Sequence, residues 1–365
     1  MTAVQSFDVV IIGAGHNGLV TAGYLAKKGL AVKVVERRGV VGGAAVTEEF
    51  HPGFRNSVCA YTVSLLNPKV VADLDLYAHG LKIVERPVSN FLPTNDAGYL
   101  HAFPDPDQMR AEVARHSTHD ADQLADYEQT IERLANVLKS FVLETPPNSG
   151  GGLTGIWKAI KSGKRLYDLS IEDQRDLADI MTMSAVDFLD RWFENDAVKA
   201  LFAFDGIVGT LASPYQAGTA YVLLHHCFGE IMKNPGAWGH AIGGMGAITQ
   251  AMARSAQAAG ADIEVDAPVA EVLVSNGKAS GVRLEDGREI QARVVAANVN
   301  PKLLFGRLLN QRQVPQDFYK RMMNWRCASG TFRMNVALRE LPDFSCLPGT
   351  TLAPHHTAGI ILAPD

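Results

Sequence analysis

The stretch Phe7–Gly18 (FDVVIIGAGHNG) decides the fold of the amino-terminal part of this 365-residue chain. Phe7–Ile12 is mostly apolar and rich in β-branched side chains, which predicts a strand buried in a parallel sheet. The strand runs directly into Gly13–Gly18, a G-x-G-x-x-G sequence. Leu19–Lys28 then shows the apolar spacing of a helix, and Gly29 is placed to end it. The predicted order is therefore strand, glycine turn and helix.

A second strand and an acid complete the motif. Ala31–Val35 is an apolar run that ends at Glu36. In a dinucleotide-binding βαβ unit, the glycines permit a tight turn and a close approach of the pyrophosphate, and the acid accepts hydrogen bonds from the ribose. The helix N-terminus offers free N–H groups to the phosphates. An acid here repels a 2′-phosphate, so NADP is disfavoured, although Arg37 and Arg38 weaken that exclusion. The context predicts a dinucleotide site; an ordinary glycine-containing turn is the alternative.

A pair of glycines beyond the second strand favours FAD over NAD. Gly42 and Gly43 follow Glu36 closely and precede Ala44, and such a pair lets the backbone run close to a bound cofactor. The sequence Glu36–Gly43 (ERRGVVGG) resembles the extended FAD fingerprint of glutathione-reductase-like and amine-oxidase-like flavoproteins. The alternative interpretation is a flexible loop after a strand.

A second glycine-rich segment begins the later half of the cofactor domain. Gly243–Gly246 (GGMG) precedes an amphipathic helix, Ala247–Ala259, which Gly260 ends. Because Trp238–Ile242 is not a convincing buried strand, we interpret these glycines as a helix start and not as a second dinucleotide motif.

Short strands with explicit turns follow this helix. The dipeptides Asn276-Gly277 and Asp286-Gly287 are favoured hairpin turns. The segments predicted as strands are Asp262–Val265, Val269–Val274, Gly281–Leu284, Glu289–Ala292 and Val294–Ala297. We interpret them as one strand of a βα unit, a three-strand meander, and a strand that returns to the sheet.

The region between these two halves is predicted to be a mostly helical substrate or cap domain. Pro87–Phe103 has the pattern of a hairpin, and Asp105-Pro106 starts a helix with proline at its first position. Thr145–Gly152 is predicted to be a loop, and Thr331–Leu338 a strand that returns to the cap. The further helical patterns are Asp122–Leu143, Ile171–Asn195 and Tyr215–Ile231. The predicted boundaries are 1–73 and 240–305 for the FAD-binding domain, and 74–239 and 306–365 for the cap domain.

Taken together, these features resemble the phytoene-dehydrogenase-related flavoproteins. The resemblance covers essentially the whole chain and rests on Gly13–Gly18, Gly42-Gly43, Gly243–Gly246, the meander around Val269 and Val294–Asn298 (VVAAN). The His-Asn pair inside the first motif indicates the branch of the pyridine nucleotide-disulfide oxidoreductase domain-containing proteins. The resemblance implies an α/β fold with a Rossmann-type, glutathione-reductase-like FAD-binding domain, an inserted β-meander and a mostly helical substrate domain.

The resemblance also implies a function, FAD-dependent oxidation or isomerisation of a hydrophobic small molecule. The flavin itself takes the hydride, and protein side chains position the substrate, so no catalytic side chain is predicted. Quinone and oxygen are both expected electron acceptors. In such proteins the residue matching Val269 contacts the adenine end through its backbone. The predicted cofactor-binding residues are Gly13, Ala14, Gly15, Asn17, Gly18, Glu36, Arg37, Gly42, Gly43, Ala44 and Val269. Tyr61 and Ser64, which follow the glycine pair, are candidates to approach the flavin.

Two alternatives stay open. One is an amine-oxidase-like enzyme on the same scaffold. The other is a catalytically silent FAD-binding partner or fragment. Family members continue beyond Asp365 with a glycine-rich segment that closes the FAD domain, so the resemblance implies a truncated chain or one completed by a complementing chain or a homo-oligomer.

Composition narrows the class of protein. A net charge of -5 argues against a nucleic-acid partner, because phosphate binding requires a basic surface. No C-x-x-C occurs, so neither a redox-active dithiol nor a metal site is expected. The four widely spaced cysteines are Cys59, Cys227, Cys327 and Cys346. No signal peptide and no run of about 18 apolar residues is present. A cytoplasmic protein is therefore expected, or a mitochondrial-matrix protein in a eukaryotic relative.

Two further segments have competing interpretations. Trp157–Tyr167 (WKAIKSGKRLY) interleaves basic with aromatic and aliphatic residues. This pattern favours a solvated cap helix broken at Gly163, and the alternative is a helix in peripheral contact with a membrane. His225-His226-Cys227 is interpreted as packed helix residues and not as metal ligands, because adjacent helix residues point in different directions.

Overall fold

Two compact units make up the chain in the computed structural model, which describes residues 6–148, 150, 152–231, 234–235 and 238–362. The sheet unit comprises Met1–Val84, Gly239–Ala328 and Arg333–Ala337. The helical unit comprises Glu85–Trp238, Ser329–Phe332 and Leu338–Asp365. The domain boundaries after residues 73, 239 and 305 stay predictions.

The strands of the described residues are short except in the main sheet. They are β1 (Ser6–Ile12), β2 (Val32–Val35), β3 (Thr47–His51), β4 (Phe54–Ser57), β5 (Ile83–Glu85), β6 (Asn90–Pro93), β7 (Tyr99–Ala102), β8 (Glu230–Ile231), β9 (Asn234–Pro235), β10 (Gly239–Ala241), β11 (Asp262–Glu264), β12 (Val269–Ser275), β13 (Lys278–Leu284), β14 (Glu289–Ala297) and β15 (Gly359–Ile360).

The helices range from three to 25 residues. They are α1 (His16–Lys27), α2 (Pro68–Asp73), α3 (Pro106–Ala114), α4 (Thr118–Val142), α5 (Gly152–Tyr167), α6 (Ile171–Thr182), α7 (Ala185–Leu189), α8 (Asp196–Ile207), α9 (Ala220–His225), α10 (Met245–Ala258), α11 (Pro301–Leu303) and α12 (Gln316–Asn324). A π-helical turn, Leu304–Leu308, follows α11, and 3₁₀ turns lie at His226–Phe228, Gln311–Gln313 and Pro354–Thr357.

One six-stranded sheet organises the sheet unit, with the order β11-β2-β1-β14-β13-β12. The first four strands are parallel, and β13 and β12 are antiparallel to their neighbours. The last four residues of β1 and all of β2 are buried, as expected for strands covered on both faces. The carboxyl ends of β1, β2 and β14 therefore meet at one edge, where a doubly wound sheet binds ligands.

Helix α1 begins earlier than predicted, inside the glycine motif. Gly15 is its N-cap, and the helix runs from His16 to Lys27. Gly29 lies just beyond the C-cap with φ +80°, and its N–H donates to the Ala26 carbonyl at 2.8 Å. A left-handed residue at this place ends a helix by satisfying its last carbonyls, as the sequence predicts.

The meander prediction needs one correction, because two predicted strands are one. Glu289–Ala292 and Val294–Ala297 both belong to β14, which pairs antiparallel with β13 and parallel with β1. Arg293 interrupts the apolar pattern, but its side chain is exposed and its Nη1 lies 3.0 Å from Asp8 Oδ1. A polar residue that points to solvent does not end a strand.

The segment before the second glycine motif also differs from the prediction. A short strand, β10, forms where no strand is predicted, but it lies outside the six-stranded sheet. Helix α10 starts after Gly244, its N-cap with φ +77°, as interpreted. The N–H groups of Met245 and Gly246 donate to Ser57 Oγ at 3.0 Å and Thr47 Oγ1 at 2.9 Å. These hydroxyls satisfy two of the unpaired amides of the first helical turn.

A buried lysine joins the edge strand β11 to β2. Lys33 is only 4% exposed, and its Nζ lies 2.8 Å from Asp262 and 2.7 Å from Glu264. Burial opposes the charge, but the hydrogen bonds to both carboxylates outweigh it and raise the pKa of Lys33. The pairing places the Glu264 carbonyl 2.9 Å from the N–H of Glu36, so it also positions the acid of the first motif.

The helical unit packs α3, α4 and α6–α9 around one apolar core. Tyr127 of α4 lies at its centre, with ring centroids 5.0 Å from Phe193 and 5.1 Å from Phe202. A three-stranded sheet, β15-β6-β7, belongs to the same unit. The predicted helix after Asp105 is present as α3, with the Asp105 side chain accepting the Gln108 N–H at 2.9 Å.

Several helix predictions in this unit were wrong in extent. Ile171–Asn195 forms two helices, because Met183 is extended and Ser184 Oγ caps α7 by accepting the Asp187 N–H. Tyr215–Ile231 contains only α9 and a 3₁₀ turn as helix, since Gly218 has φ +86°. Helix α8 was not predicted; the Asn195 side chain caps it.

The strand predicted at Thr331–Leu338 does not form. Alternating apolar and polar residues favour an extended backbone, but a strand also needs a partner strand, and no described residue pairs with this segment. Arg333 Nη2 donates to the Ser57 carbonyl at 3.1 Å, and Phe332 is 88% exposed.

Helix α5 continues through Gly163, contrary to the predicted break. Glycine inside a helix costs about 1 kcal/mol and does not have to interrupt it. Leu153, Trp157 and Ile160 are 86%, 67% and 59% exposed, so an apolar face of α5 lies open. Among the described residues, no helix has the length and apolar character required to cross a membrane.

Candidate cofactor-binding site

A cavity of about 490 Å³ opens at the carboxyl ends of β1, β2 and β14 in the sheet unit. Its volume lies within the range of roughly 300–1,000 Å³ typical of ligand sites. Of the predicted residues, those that line it are Gly13, Gly15, Glu36, Arg37, Gly43, Ala44 and Val269. The first glycine motif, the acid and the glycine pair therefore meet at one place.

The glycine turn adopts a backbone that other residues do not tolerate. Gly13 has φ +95°, and a Cβ there would lie 2.9 Å from the Asn298 carbonyl oxygen. A Cβ on Gly18 would overlap with the Gly13 carbonyl oxygen. Gly18 is thus required for close packing of α1 against the turn, and it supports the cavity without lining it.

The second glycine pair lies directly against the first motif. The Gly42 N–H donates to the Ala14 carbonyl at 2.8 Å. A Cβ on Gly43 would lie 3.1 Å from the Gly15 Cα, so the two backbones approach more closely than side chains allow. Ala14 and Gly42 hold this contact and do not line the cavity.

The N-terminus of α1 lies at the cavity, because its N-cap Gly15 and its first residue His16 line the wall. The helix has 12 residues, and its first turn carries no acidic side chain. The unpaired amides and the positive end of the helix dipole favour a phosphate at this place. Asn17 is exposed, and its side chain does not line the cavity.

Glu36 is almost completely buried beside the cavity, with 7% exposure. Its Oε2 accepts the Ala14 N–H at 2.9 Å, and its Oε1 accepts the Arg38 N–H at 3.0 Å. Each carboxylate oxygen has a further lone pair, so the acid can also accept hydrogen bonds from ribose hydroxyls. The Arg38 guanidinium is paired with Glu48, and the exposed Arg37 lines the cavity.

Asn298 lies at the centre of the site, although it was not predicted as a site residue. It follows β14, its N–H donates to the Ile12 carbonyl at 2.8 Å, and its Nδ2 lies 3.4 Å from the Gly13 carbonyl. A Cβ on Gly15 would come within 2.9 Å of that Nδ2. The available signal was its place directly after the strand predicted to return to the sheet, because the carboxyl ends of parallel strands form the ligand edge.

The far end of the cavity is formed by the start of the meander. Val269 lies there with Pro268 and Leu308, which gives an apolar surface. The Ala267 N–H donates to the Glu36 carbonyl at 2.8 Å, which joins this end to β2. Other lining residues that were not predicted to bind the cofactor include His16, Glu285, Asn300, Leu303 and Arg307. Tyr61 and Ser64 do not line the cavity.

These residues fit the ADP portion of FAD. The Gly15–Gly43 cradle excludes side chains, the N-terminus of α1 suits the pyrophosphate, Glu36 suits the ribose, and the Val269 end is apolar. The roles of the individual residues stay predictions.

Among the described residues, His225, His226 and Cys227 belong to no group of three potential metal-ligand side chains. Among the described residues, the one group of three potential ligands within 4.8 Å of one another is His119, Asp120 and Glu194. Both Asp120 oxygens already accept backbone N–H groups, from Glu194 at 2.9 Å and Asn195 at 3.0 Å. Burial opposes the charge of Asp120, but these hydrogen bonds outweigh it and lower its pKa. The group therefore ties α4 to the segment before α8.

The chain matches a family model described as flavin containing amine oxidoreductase over residues 18–324. It is 37% identical, over 98% of its length, to pyridine nucleotide-disulfide oxidoreductase domain-containing protein 2 of Mus musculus. It is 25% identical, over 94% of its length, to one of the limonene dehydrogenase subunits of Castellaniella defragrans. The chain covers 64% and 62% of these two relatives.

Solved structures share the fold. An oxidoreductase from Methanosarcina mazei matches 88% of this chain and 65% of its own with a TM-score of 0.55 and 18% identity. Wild-type putrescine oxidase bound to putrescine matches 87% of this chain and 63% of its own with a TM-score of 0.53 and 19% identity.

These findings confirm the predicted Rossmann-type α/β fold, the flavin cofactor and the resemblance to the pyridine nucleotide-disulfide oxidoreductase domain-containing branch. Because the family model spans most of the chain, this protein belongs to the family of flavin-containing amine oxidoreductases.

Proposed function

We propose that this chain is the FAD-binding part of an oxidoreductase that removes a hydride from a hydrophobic small molecule. One observation carries the proposal. The glycine turn, the N-terminus of α1, Glu36 and the second glycine pair converge on one cavity at the carboxyl edge of the parallel strands.

Different residues of this cavity bind different parts of the cofactor. The amides at His16 and the Gly15–Gly43 cradle receive the pyrophosphate, and Glu36 accepts hydrogen bonds from the ribose. The Val269 end covers the adenine with apolar surface. When bound, the flavin supplies the hydride acceptor. The proposed electron acceptor is quinone or oxygen.

The hydrophobic substrate is supported by the relatives and by one surface. Limonene dehydrogenase, one of the relatives, is named for a hydrocarbon. Helix α5 exposes Leu153, Trp157 and Ile160, and Lys158 and Lys161 lie on the same helix. An amphipathic helix with these residue types binds at the surface of an anionic membrane, from which a hydrophobic substrate can be drawn.

The test uses the purified 365-residue chain. Its visible absorption is recorded as purified and after incubation with FAD, and bands near ~370 and ~450 nm are expected for bound oxidised flavin. Anaerobic bleaching by a panel of terpenes, carotenoids and amines then identifies the substrate class. In a separate aerobic assay, peroxide formed from oxygen with amines alone would favour amine oxidation instead. A colourless protein that takes up no added FAD would overturn the proposal.

A further inference from the structure

A second cavity, of about 460 Å³, lies inside the helical unit and shares no residue with the dinucleotide cavity. It opens between α4, α8 and α9 and is bounded by Phe103 of the segment before α3. Tyr127, Ile131, Phe202 and Leu223 form apolar and aromatic walls. The volume and the walls are those of a pocket for a small organic molecule.

One carboxyl group in this apolar pocket has no counter-ion. Asp205 of α8 lines the cavity, and among the described residues nothing donates a hydrogen bond to it or forms an ion pair with it. Burial among apolar groups raises its pKa to about 7. Its side chain is partly exposed, and a carboxylate that is partly desolvated without a counter-ion is costly, so a cation that enters the pocket would stabilise it.

The surroundings of Asp205 are on balance negative. Glu128, Glu132 and Lys139 of α4 also line the cavity, so acids outnumber the amine. The Cys227 thiol faces it from the 3₁₀ turn, where burial first and Asp205 second raise its pKa to about 12. Burial likewise holds the pKa of the Tyr127 phenol well above its usual range. Thiol and phenol therefore stay uncharged, and Asp205 changes charge near neutral pH.

We propose that this pocket binds an organic ammonium ion with an apolar body, and that the Asp205 carboxylate is its counter-ion. The cation supplies the missing ion-pair partner, the faces of Tyr127 and Phe202 add cation–π attraction, and Ile131 and Leu223 cover the apolar body. An anion would meet three carboxyl groups, and a neutral molecule would leave Asp205 uncompensated.

The test compares choline with its uncharged isostere, 3,3-dimethylbutan-1-ol, by ligand-detected NMR and calorimetry on the full chain. Choline carries a permanent charge, so any pH dependence of its binding belongs to the protein. With a pKa of about 7, the ionised fraction of Asp205 rises about tenfold between pH 6 and pH 8. Choline affinity is expected to rise about tenfold over this range, while the isostere binds at least tenfold more weakly at pH 8.

The variant Asp205→Asn is expected to lower choline affinity at least tenfold at pH 8 and to abolish its pH dependence. The matched control is Asp196→Asn on the same helix, whose carboxylate is 95% exposed and pairs with Lys199. It should leave choline binding unchanged. Equal binding of the two probes, or choline binding that is independent of pH and of Asp205, would overturn the proposal. Because these binding measurements need no FAD, their outcome is independent of the test of the flavin site.

Discussion

The Glu36 carboxylate accepts the backbone N–H of Ala14 at 2.9 Å and so ties the end of β2 to the glycine turn that follows β1. The other carboxylate oxygen holds the N–H of Arg38. The acid expected to contact the ribose is therefore also part of the scaffold. It reaches the cavity already oriented, which lowers the entropy cost of binding the cofactor.

Replacing this carboxylate should weaken FAD binding and also lower stability, because both of its oxygens accept backbone N–H groups. Glu36→Gln keeps the shape and one acceptor oxygen but removes the charge. Since a hydrogen bond to a charged group contributes about 1.5–3 kcal/mol, the Kd for FAD should rise about tenfold to a hundredfold. Quenching of flavin fluorescence measures this. Glu289→Gln, which removes a carboxylate that pairs with Arg283 and does not line the cavity, is the control; equal Kd values for both variants would contradict the assignment.

The close packing at Gly18 should make it intolerant of a methyl group. In Gly18→Ala, the new Cβ overlaps with the Gly13 carbonyl oxygen, and overpacking of this kind costs about 1–3 kcal/mol. The sheet unit should lose thermal stability and FAD affinity together. Gly163→Ala is the matched control, because a Cβ there meets nothing within 4 Å and alanine favours the helix by about 1 kcal/mol. Thermal unfolding with and without FAD measures both the stability and the binding of each variant. A Gly18→Ala protein that is as stable as the wild type and binds FAD would refute the packing role.

The sequence predicts the contacts of this site between residues that are close along the chain, but not those between distant segments. The segment from β1 through α1 to Glu36 is contiguous in the sequence. The spacing of its residues therefore predicted their places in the site. Asn298 enters the site only because β14 pairs in register with β1, Ala297 lying opposite Ile12. A pairing between segments so distant along the chain is not visible in either one. The same reason explains why the strand predicted at Thr331–Leu338 does not form. Its alternating apolar and polar residues predicted an extended backbone, but they do not show whether a partner strand exists.

The exposed face of α5 should bind anionic vesicles. Each lysine near an anionic surface contributes about 1 kcal/mol, in addition to the burial of apolar side chains. The double variant Trp157→Glu and Ile160→Glu should lose co-sedimentation with phosphatidylglycerol vesicles, and the wild-type protein should bind phosphatidylcholine vesicles weakly. Tyr215→Glu is the control, because Tyr215 is 76% exposed in the same unit and lies outside α5. Equal sedimentation of the double variant and this control would contradict a role for α5.

The unpaired Asp205 of the helical unit should make the free energy of unfolding fall as pH rises. A salt-bridged carboxylate has the opposite effect. The pKa of Asp205 is about 7 in the folded chain against an ordinary value of 3.8, so between these values the folded state binds more protons than the unfolded state. Unfolding free energy must then fall as pH rises from about 4 to about 7, and it levels off above that. Asp205→Asn removes this dependence, so the variant should be the more stable protein at pH 8 and gain little at pH 4. Asp196→Asn serves as the control. Thermal unfolding from pH 4 to pH 8 measures the difference, and parallel curves for wild type and Asp205→Asn would show that the Asp205 carboxyl is not desolvated in the pocket.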